Sequence, residues 1–291
     1  ESELLPDLTV LATSRPTAEH IYTQLSFDRE VEILGFREEQ IKDYVEKFCR
    51  NDMGKAIKMW DFIKESPELL SLCYIPVNSY IICLTLIENI DVHQIEEDGS
   101  QTFQSNAPGT ITELYKRAIK ILLFRHHANY KDKPIPKDYI IAKLPGQFQK
   151  DLEKLKEIAR NGMMKDQLIF EFESGDNYVA DLSCTGIFNK LEDKRRNIFS
   201  FLHLTIQEFL AALHVVDDID NVESFLIKHI DNPKWHLVIQ FVAGLIGDKM
   251  RELKEERNTS QRYGQCLLYL TIIRILKDYI LCKVSLKSAN E

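Results

Sequence analysis

Residues 199–216 read FSFLHLTIQEFLAALHVV. The first part alternates: Phe199, Phe201 and His203 fall on one face of an extended segment, and Ile198, Ser200 and Leu202 on the other. Immediately afterwards Ile206, Phe209, Leu210 and Leu213 recur at helical spacing, and Thr205 with Glu208 has the spacing of a capping box. A strand that looks buried must therefore feed a helix directly, with His203 just outside the helix N-terminus. An imidazole in that place either meets a phosphate or braces the turn through a backbone carbonyl, and spacing alone leaves both open.

The rest of the chain is mostly helical in pattern. Leu8 to Ala12 reads as a short buried strand ended by TSRP, and Val31 to Phe36 as a second strand or edge stopped at Gly35. REEQIKDYVEKFC then places Ile41, Tyr44, Val45 and Phe48 on one helical face, with acidic residues in its first turn. MGKAIKMWDFIKE repeats the pattern through Ile57, Trp60 and Ile63, with Lys64 flanking. Pro67 and Pro76 each stand where a helix starts, the second opening the strongly apolar PVNSYIICLTLIENI. Residues 91–109 are polar, carry Gly, Ser, Asn and Pro, and read as a linker. Further helices are expected from TITELYKRAIKILLFRHHA and from DLEKLKEIARNGMMKDQLIFEF, the latter running into a strand. NYVADLSCTGIFNKLE and RRNIFSFLH read as the two arms of a β-hairpin around a charged turn. A few helices, a hairpin and an opening helix behind it make the layout of a winged helix. After Asp218 the pattern is helical pairs without a fixed repeat period.

Bulk properties narrow the function. The 291 residues are 44% hydrophobic, enough for a sizeable core and two or three domains. A net charge of −8 argues against general binding of nucleic-acid backbones, which relies on clustered Lys and Arg. No apolar run reaches the roughly 18 residues of a membrane span, and the first residues lack the pattern of a secretory signal. The six cysteines form no C-x-x-C pair and mostly sit in helical apolar patterns, which points to a reduced, cytoplasmic compartment. The chain opens on Glu1 rather than Met and enters an apolar run within a few residues, as a fragment of a larger domain would.

Three residues are candidates for binding. Arg15, at the carboxyl end of the first expected strand, is either an arginine that forks onto phosphate oxygens or a surface arginine before Pro16. Pro76 is either an ordinary first helical residue, the plainer reading from spacing, or an apolar ring packed flat on a purine. His203 is the third. No catalytic residue is expected: Ser14 has no nucleophile elbow and no Cys/His pair is set up. His126 and His127 are adjacent on a helix without a third ligand at metal spacing, so no metal site is expected. There is no G-x-x-x-x-G-K-[ST] and no apolar strand ending in paired acids that would hold Mg²⁺.

The order of VLATSRP, VEILGFREEQIKDYVEKF, LCYIPVNSYIIC, TITELYKRAIKILL, LEKLKEIARNGMMKDQLIFEF and FSFLHLTIQEFLAAL resembles the NACHT module of animal NOD-like receptors, the nucleotide-binding, leucine-rich-repeat receptors of innate immunity. The likeness runs from about Leu8 to about Val216, and the helical remainder looks like the second helical domain of that family. It implies a mostly α fold with a small β component: the C-terminal edge of a P-loop α/β domain (1–36), a helical domain (37–90), a linker (91–109), a winged helix (110–216) and the start of a second helical domain (217–291). It also implies ADP or ATP as cofactor. Arg15 matches the sensor-1 arginine facing the γ-phosphate side, Pro76 the proline that packs on adenine, and His203 the winged-helix histidine that contacts the β-phosphate of ADP. ADP would bridge the domains and hold the module closed; exchange for ATP would let it open and self-associate, with effector and ligand-sensing domains elsewhere in a parent protein. The sequence departs from the family in lacking the phosphate loop and Mg²⁺ acids that lie upstream there, the leucine-rich repeats and any death-fold domain. The family is one of signal-transduction ATPases, but this chain alone is expected neither to bind nor to hydrolyse ATP. A non-catalytic helical scaffold with vestigial nucleotide contacts is the alternative. DNA binding is disfavoured because Thr205 to Val216 contains no Lys or Arg, leaving KLEDKRRN as the one basic spot.

Overall fold

The computed structural model describes residues 11–13, 28–50, 52–92, 108–126, 130, 135, 144–173, 177–193, 195–255, 272–275 and 277. These form a mostly helical structure with one small antiparallel sheet. Four helices come first: α1 (Glu38–Phe48), α2 (Met53–Glu65), α3 (Pro67–Cys73) and α4 (Pro76–Val92). Each of the first three starts as its sequence dictates. Gln40 Oε1 accepts from the Arg37 N–H at 2.8 Å, Asp52 Oδ1 from Lys55 N–H at 3.1 Å, and Ser66 Oγ from Leu69 N–H at 3.4 Å. Pro67 and Pro76 both begin helices, where a missing N–H costs nothing. Ile41 and Val45 bury the inner face of α1. On α2 the buried residues are Ala56, Met59, Phe62 and Ile63, while Ile57 is 54% exposed; the apolar face is rotated by one residue from the expected one.

Two expected strands differ. Leu8 to Val10 lie outside the described residues, and Leu11 and Ala12 belong to no strand, with Leu11 86% exposed. Val31 to Phe36 also form no strand; Ile33 is 91% exposed. No neighbouring strand among the described residues offers them a ladder. The segment instead docks singly: the Phe36 N–H donates to the Tyr74 carbonyl at 2.8 Å. Gly35 permits this, because its φ is +95° and a Cβ there would run into that same carbonyl oxygen.

The second part contains α5 (Ile111–His126), α6 (Gly146–Met164), β1 (Phe170–Glu171), α7 (Asn177–Leu182), β2 (Phe188–Lys190), β3 (Ile198–Phe201) and α8 (Leu204–Asp217). β3 is central in the order β1–β3–β2, with Phe170 opposite Phe199 and Phe188 opposite Phe201. Phe170, Phe172, Phe188, Phe199 and Phe201 form one aromatic cluster, in which Phe188 stacks on Phe199 at 5.5 Å. The first arm of the expected hairpin is mostly not a strand. Val179 and Leu182 have helical spacing and are buried, and Gly186, at φ +68°, ends that turn so that only Phe188 to Lys190 remain to pair.

Then come α9 (Val222–His229) and α10 (His236–Glu255). α8 packs along both α6 and α10. Except for Leu204 and Thr205 at its start and His214 and Asp217 near its end, its residues are buried on all sides. Polar ties fix the neighbours: Gln207 Nε2 donates to the Gln167 carbonyl at 3.1 Å, Lys249 Nζ to the Val216 carbonyl at 3.1 Å, and Lys116 pairs with Asp248. Lys156, nearly fully buried, pairs with both Asp217 and Glu153. The overall class is therefore the expected one, mostly α with a small β component.

Candidate functional site

His203 is the N-cap of α8. Its φ and ψ of −153° and 152° are extended, and its Nδ1 accepts the Thr205 N–H at 3.2 Å. The expected capping box at Thr205 and Glu208 does not form there, because the helix begins one residue earlier and Thr205 lies inside it. A related arrangement occurs at the start of α5, where Thr110 Oγ1 accepts the Glu113 N–H at 3.1 Å and Glu113 Oε2 accepts the N–H of Gly109, one residue before the cap, at 3.0 Å. His203 is also not in a buried place: its side chain is exposed to solvent, although the strand before it is buried.

Pro76 is exposed at the start of α4. The residues beneath it are buried and polar. The Asn78 and Ser79 N–H groups both donate to the Ile75 carbonyl, at 2.9 and 3.1 Å, and the Ser79 hydroxyl donates to the Cys73 carbonyl at 2.6 Å. The last turn of α3 is thereby satisfied by the first turn of α4.

One tyrosine connects the two helix starts. Tyr115, on α5, is completely buried, with its ring 5.0 Å from that of Phe241 and 5.6 Å from that of Phe209. Its hydroxyl lies 3.0 Å from Asn78 Oδ1 and 2.7 Å from Thr205 Oγ1, and Thr205 Oγ1 is 2.9 Å from His203 Nδ1. The chain Asn78–Tyr115–Thr205–His203 thus runs from two residues after Pro76 to the histidine itself. Burial pushes the Tyr115 phenol up to about 12; the bond with Thr205 opposes this and the Glu208 carboxylate adds to it. Tyr115 stays protonated and able to donate. The first turns of α4 and α8 carry no acidic residue, and the nearest carboxylate on α8 is the buried Glu208 one turn further in.

Arg15 lies outside the described residues. Tyr115, Asn78 and Thr205 were not foreseen as site residues. The available signal was a tyrosine in an apolar helical stripe where phenylalanine would pack as well, since a buried tyrosine hydroxyl needs a partner. In the basic turn, Asp193 Oδ1 accepts the N–H groups of Arg195 and Arg196, both at 2.8 Å, and Oδ2 pairs with the Arg196 side chain. These backbone bonds hold the Asp193 carboxyl below its ordinary range. Among the described residues no three His, Cys, Asp or Glu side chains gather as a metal site, and no helix is long and apolar enough to cross a membrane.

No family model matches the chain. Individual proteins do. It is 27% identical over 270 residues to the human NACHT, LRR and PYD domains-containing protein 12, covering 87% of this chain and 23% of that one. It is 30% identical over 219 residues to the NACHT, LRR and PYD domains-containing protein 3 of Rattus norvegicus, covering 73% and 19%. It is 26% identical over 239 residues to Protein NLRC5 of Ictalurus punctatus, covering 79% and 13%. Over most of its length the chain is similar to NOD-like receptors, consistent with a segment of such a receptor. It spans less than a quarter of the length of these curated relatives. Within it, Pro76 and His203 stand at two helix starts that one tyrosine joins.

Proposed function

We propose that this chain is the helical and winged-helix part of a nucleotide-dependent switch in an innate immune receptor. The single observation that carries this reading is the bonded chain Asn78–Tyr115–Thr205–His203. It ties together two helix starts that both lack acidic first turns and that present an exposed proline and an exposed histidine. The relatives' names carry the NACHT and LRR terms, which supports the receptor role.

In this reading residues 37–90 are the first helical domain, 91–109 the linker, 110–216 the winged helix and 217 onward the second helical domain. The order helix, strand, helix, hairpin, with β3 central, supports the winged helix. ADP or ATP supplies an adenine face and phosphate oxygens when bound. Pro76 would pack on the base, His203 would donate to the β-phosphate, and Arg15 would serve the γ-phosphate side. No G-x-x-x-x-G-K-[ST] occurs in these 291 residues, so a phosphate loop and Mg²⁺ ligands would have to be supplied by other residues. ADP favours the closed arrangement only through contacts that the open one lacks, so losing His203 shifts the balance toward opening and self-association. DNA binding is less favoured: α8 has no Lys or Arg, and Asp193 already engages Arg196.

The test uses the full reading frame that contains these residues. Purified protein is denatured and its released adenine nucleotide counted, and its size is measured by chromatography. The expected result is bound ADP in the unaltered protein, loss of it in His203→Ala, and larger assemblies in that variant. Equal ADP content and equal size in both would overturn the reading. A frame without any G-x-x-x-x-G-K-[ST] upstream would replace it with the scaffold.

A further inference from the structure

The bond pattern around His203 determines where its ring proton sits. Nδ1 receives the Thr205 backbone N–H at 3.2 Å. A ring nitrogen that accepts carries no proton, so the neutral ring has its proton on Nε2. Nδ1 is also 2.9 Å from Thr205 Oγ1. With no proton on Nδ1, that contact requires the threonine hydroxyl to donate. The threonine oxygen then accepts from the Tyr115 hydroxyl at 2.7 Å. The one phenolic proton is thereby used, and the 3.0 Å contact with Asn78 is made by the amide NH₂ end of that side chain, which a half-turn exchanges with its oxygen. The opposite order needs a proton on Nδ1, with Tyr115 donating to Asn78 and Thr205 to Tyr115. It forfeits the helix cap. The cap selects the first order.

We infer that Tyr115 and Thr205 are positioning residues that hold His203 as the Nε2–H tautomer, and that Asn78 sets the direction of the relay from the start of α4. The reacting partner implied is an anionic oxygen, which needs a donor. This deepens the proposed function and rests on its reading of His203 as a phosphate contact. It also supplies a coupling: drawing α4 away from α5 breaks the Asn78–Tyr115 bond, removes the amide donor that polarises the phenol, and weakens the donor at the start of α8. Asn78 and Tyr115 are both buried, so water does not substitute at that bond.

The test is made on the nucleotide-free chain, labelled with ¹⁵N, by long-range ¹H–¹⁵N correlation of the histidine rings at pH 8.5. The His203 signal is assigned by its disappearance in His203→Gln. The expected pattern is Nε2–H with an unprotonated Nδ1. In Tyr115→Phe and Thr205→Val the ratio of Nε2–H to Nδ1–H falls by about threefold or more, the change that losing one modest hydrogen bond produces. Thr205→Ser, which keeps the hydroxyl, retains the original ratio. Unchanged signals from the other histidines show that the variants are folded. An Nδ1–H ring in the unaltered chain would overturn the inference, as would an Nε2–H ring that neither Tyr115→Phe nor Thr205→Val disturbs. Because no nucleotide is present, this result stands apart from the ADP measurement: a confirmed relay with unaltered ADP content in His203→Ala would sink the nucleotide reading alone.

Discussion

The Tyr115 hydroxyl lies 2.7 Å from Thr205 Oγ1, a contact between residues ninety positions apart that joins α5 to the first turn of α8. The same oxygen reaches Asn78 on α4. Three helices therefore meet at one phenol, and the packing of its ring against Phe209 and Phe241 leaves it no other place to go.

Tyr115→Phe keeps the ring and removes the hydroxyl. It leaves the Asn78 side chain, which is buried, without that partner. The expected cost is about 1–3 kcal/mol, the range for stranding a buried polar group. Urea unfolding should show a lower midpoint with an unchanged slope. A midpoint equal to that of the unaltered chain would mean that the bond contributes nothing to stability.

Two glycines in α10 should respond with opposite signs. A Cβ added at Gly244 would run into the Thr112 side chain of α5, whereas one added at Gly247 meets nothing within 4 Å. Gly244→Ala should destabilise by about 1–3 kcal/mol through overpacking. Gly247→Ala should stabilise by about 0.5–1 kcal/mol, because alanine is the better helix former. Thermal melts of the two variants side by side decide it. Equal shifts in one direction would show that α5 and α10 do not approach as described.

Much of this fold was legible because its causes are local. Pro67 and Pro76 announce helix starts, and the Ile41/Val45 spacing announces a buried face. His203 reads correctly as a residue just outside a helix. Local pattern failed where a distant partner decides. Val31 to Phe36 alternate like a strand whether or not another strand is present, and among the described residues none pairs with them. Asn177 to Leu182 carry β-compatible residues, yet the 3-residue spacing of Val179 and Leu182 and the bend at Gly186 make a helix. Thr205 looked like a cap because its true partner, Tyr115, is ninety residues away and leaves no mark on the neighbouring sequence.

Buried thiols in the first helical part should be unreactive. Cys73 and Cys83 are fully buried. Burial pushes the Cys73 thiol up to about 12, and burial, then the nearby Cys73 and Cys49, pushes Cys83 well above its ordinary value. The thiolate is the reactive form, so at pH 8 neither should alkylate in the folded chain. Iodoacetamide followed by peptide mass mapping should find both residues unmodified without urea and modified in it. Equal labelling under both conditions would contradict the packing of α3 on α4.

Stability should also fall in mild acid, and two histidines say why. The His214 pKa is lowered first by burial and then by Arg160 and Lys156, with Asp217 and Glu153 opposing in part. The His229 pKa is lowered first by burial and then by Lys228, Lys234 and Arg160. Each therefore binds its proton more readily in the unfolded chain, whose ordinary value is about 6.5. When the unfolded state binds more protons, stability rises with pH. Their contribution is complete above about pH 7 and is lost as pH falls through the unfolded value toward the lower folded one. Urea midpoints at pH 7.5 and pH 5.5 should differ in the unaltered chain, with the lower midpoint at pH 5.5. The double variant His214→Gln, His229→Gln should narrow that difference, since glutamine does not titrate. A difference that is the same in both proteins would place the acid sensitivity elsewhere, and a midpoint that rises at pH 5.5 would reverse the sign argued from the cations around α6 and α9.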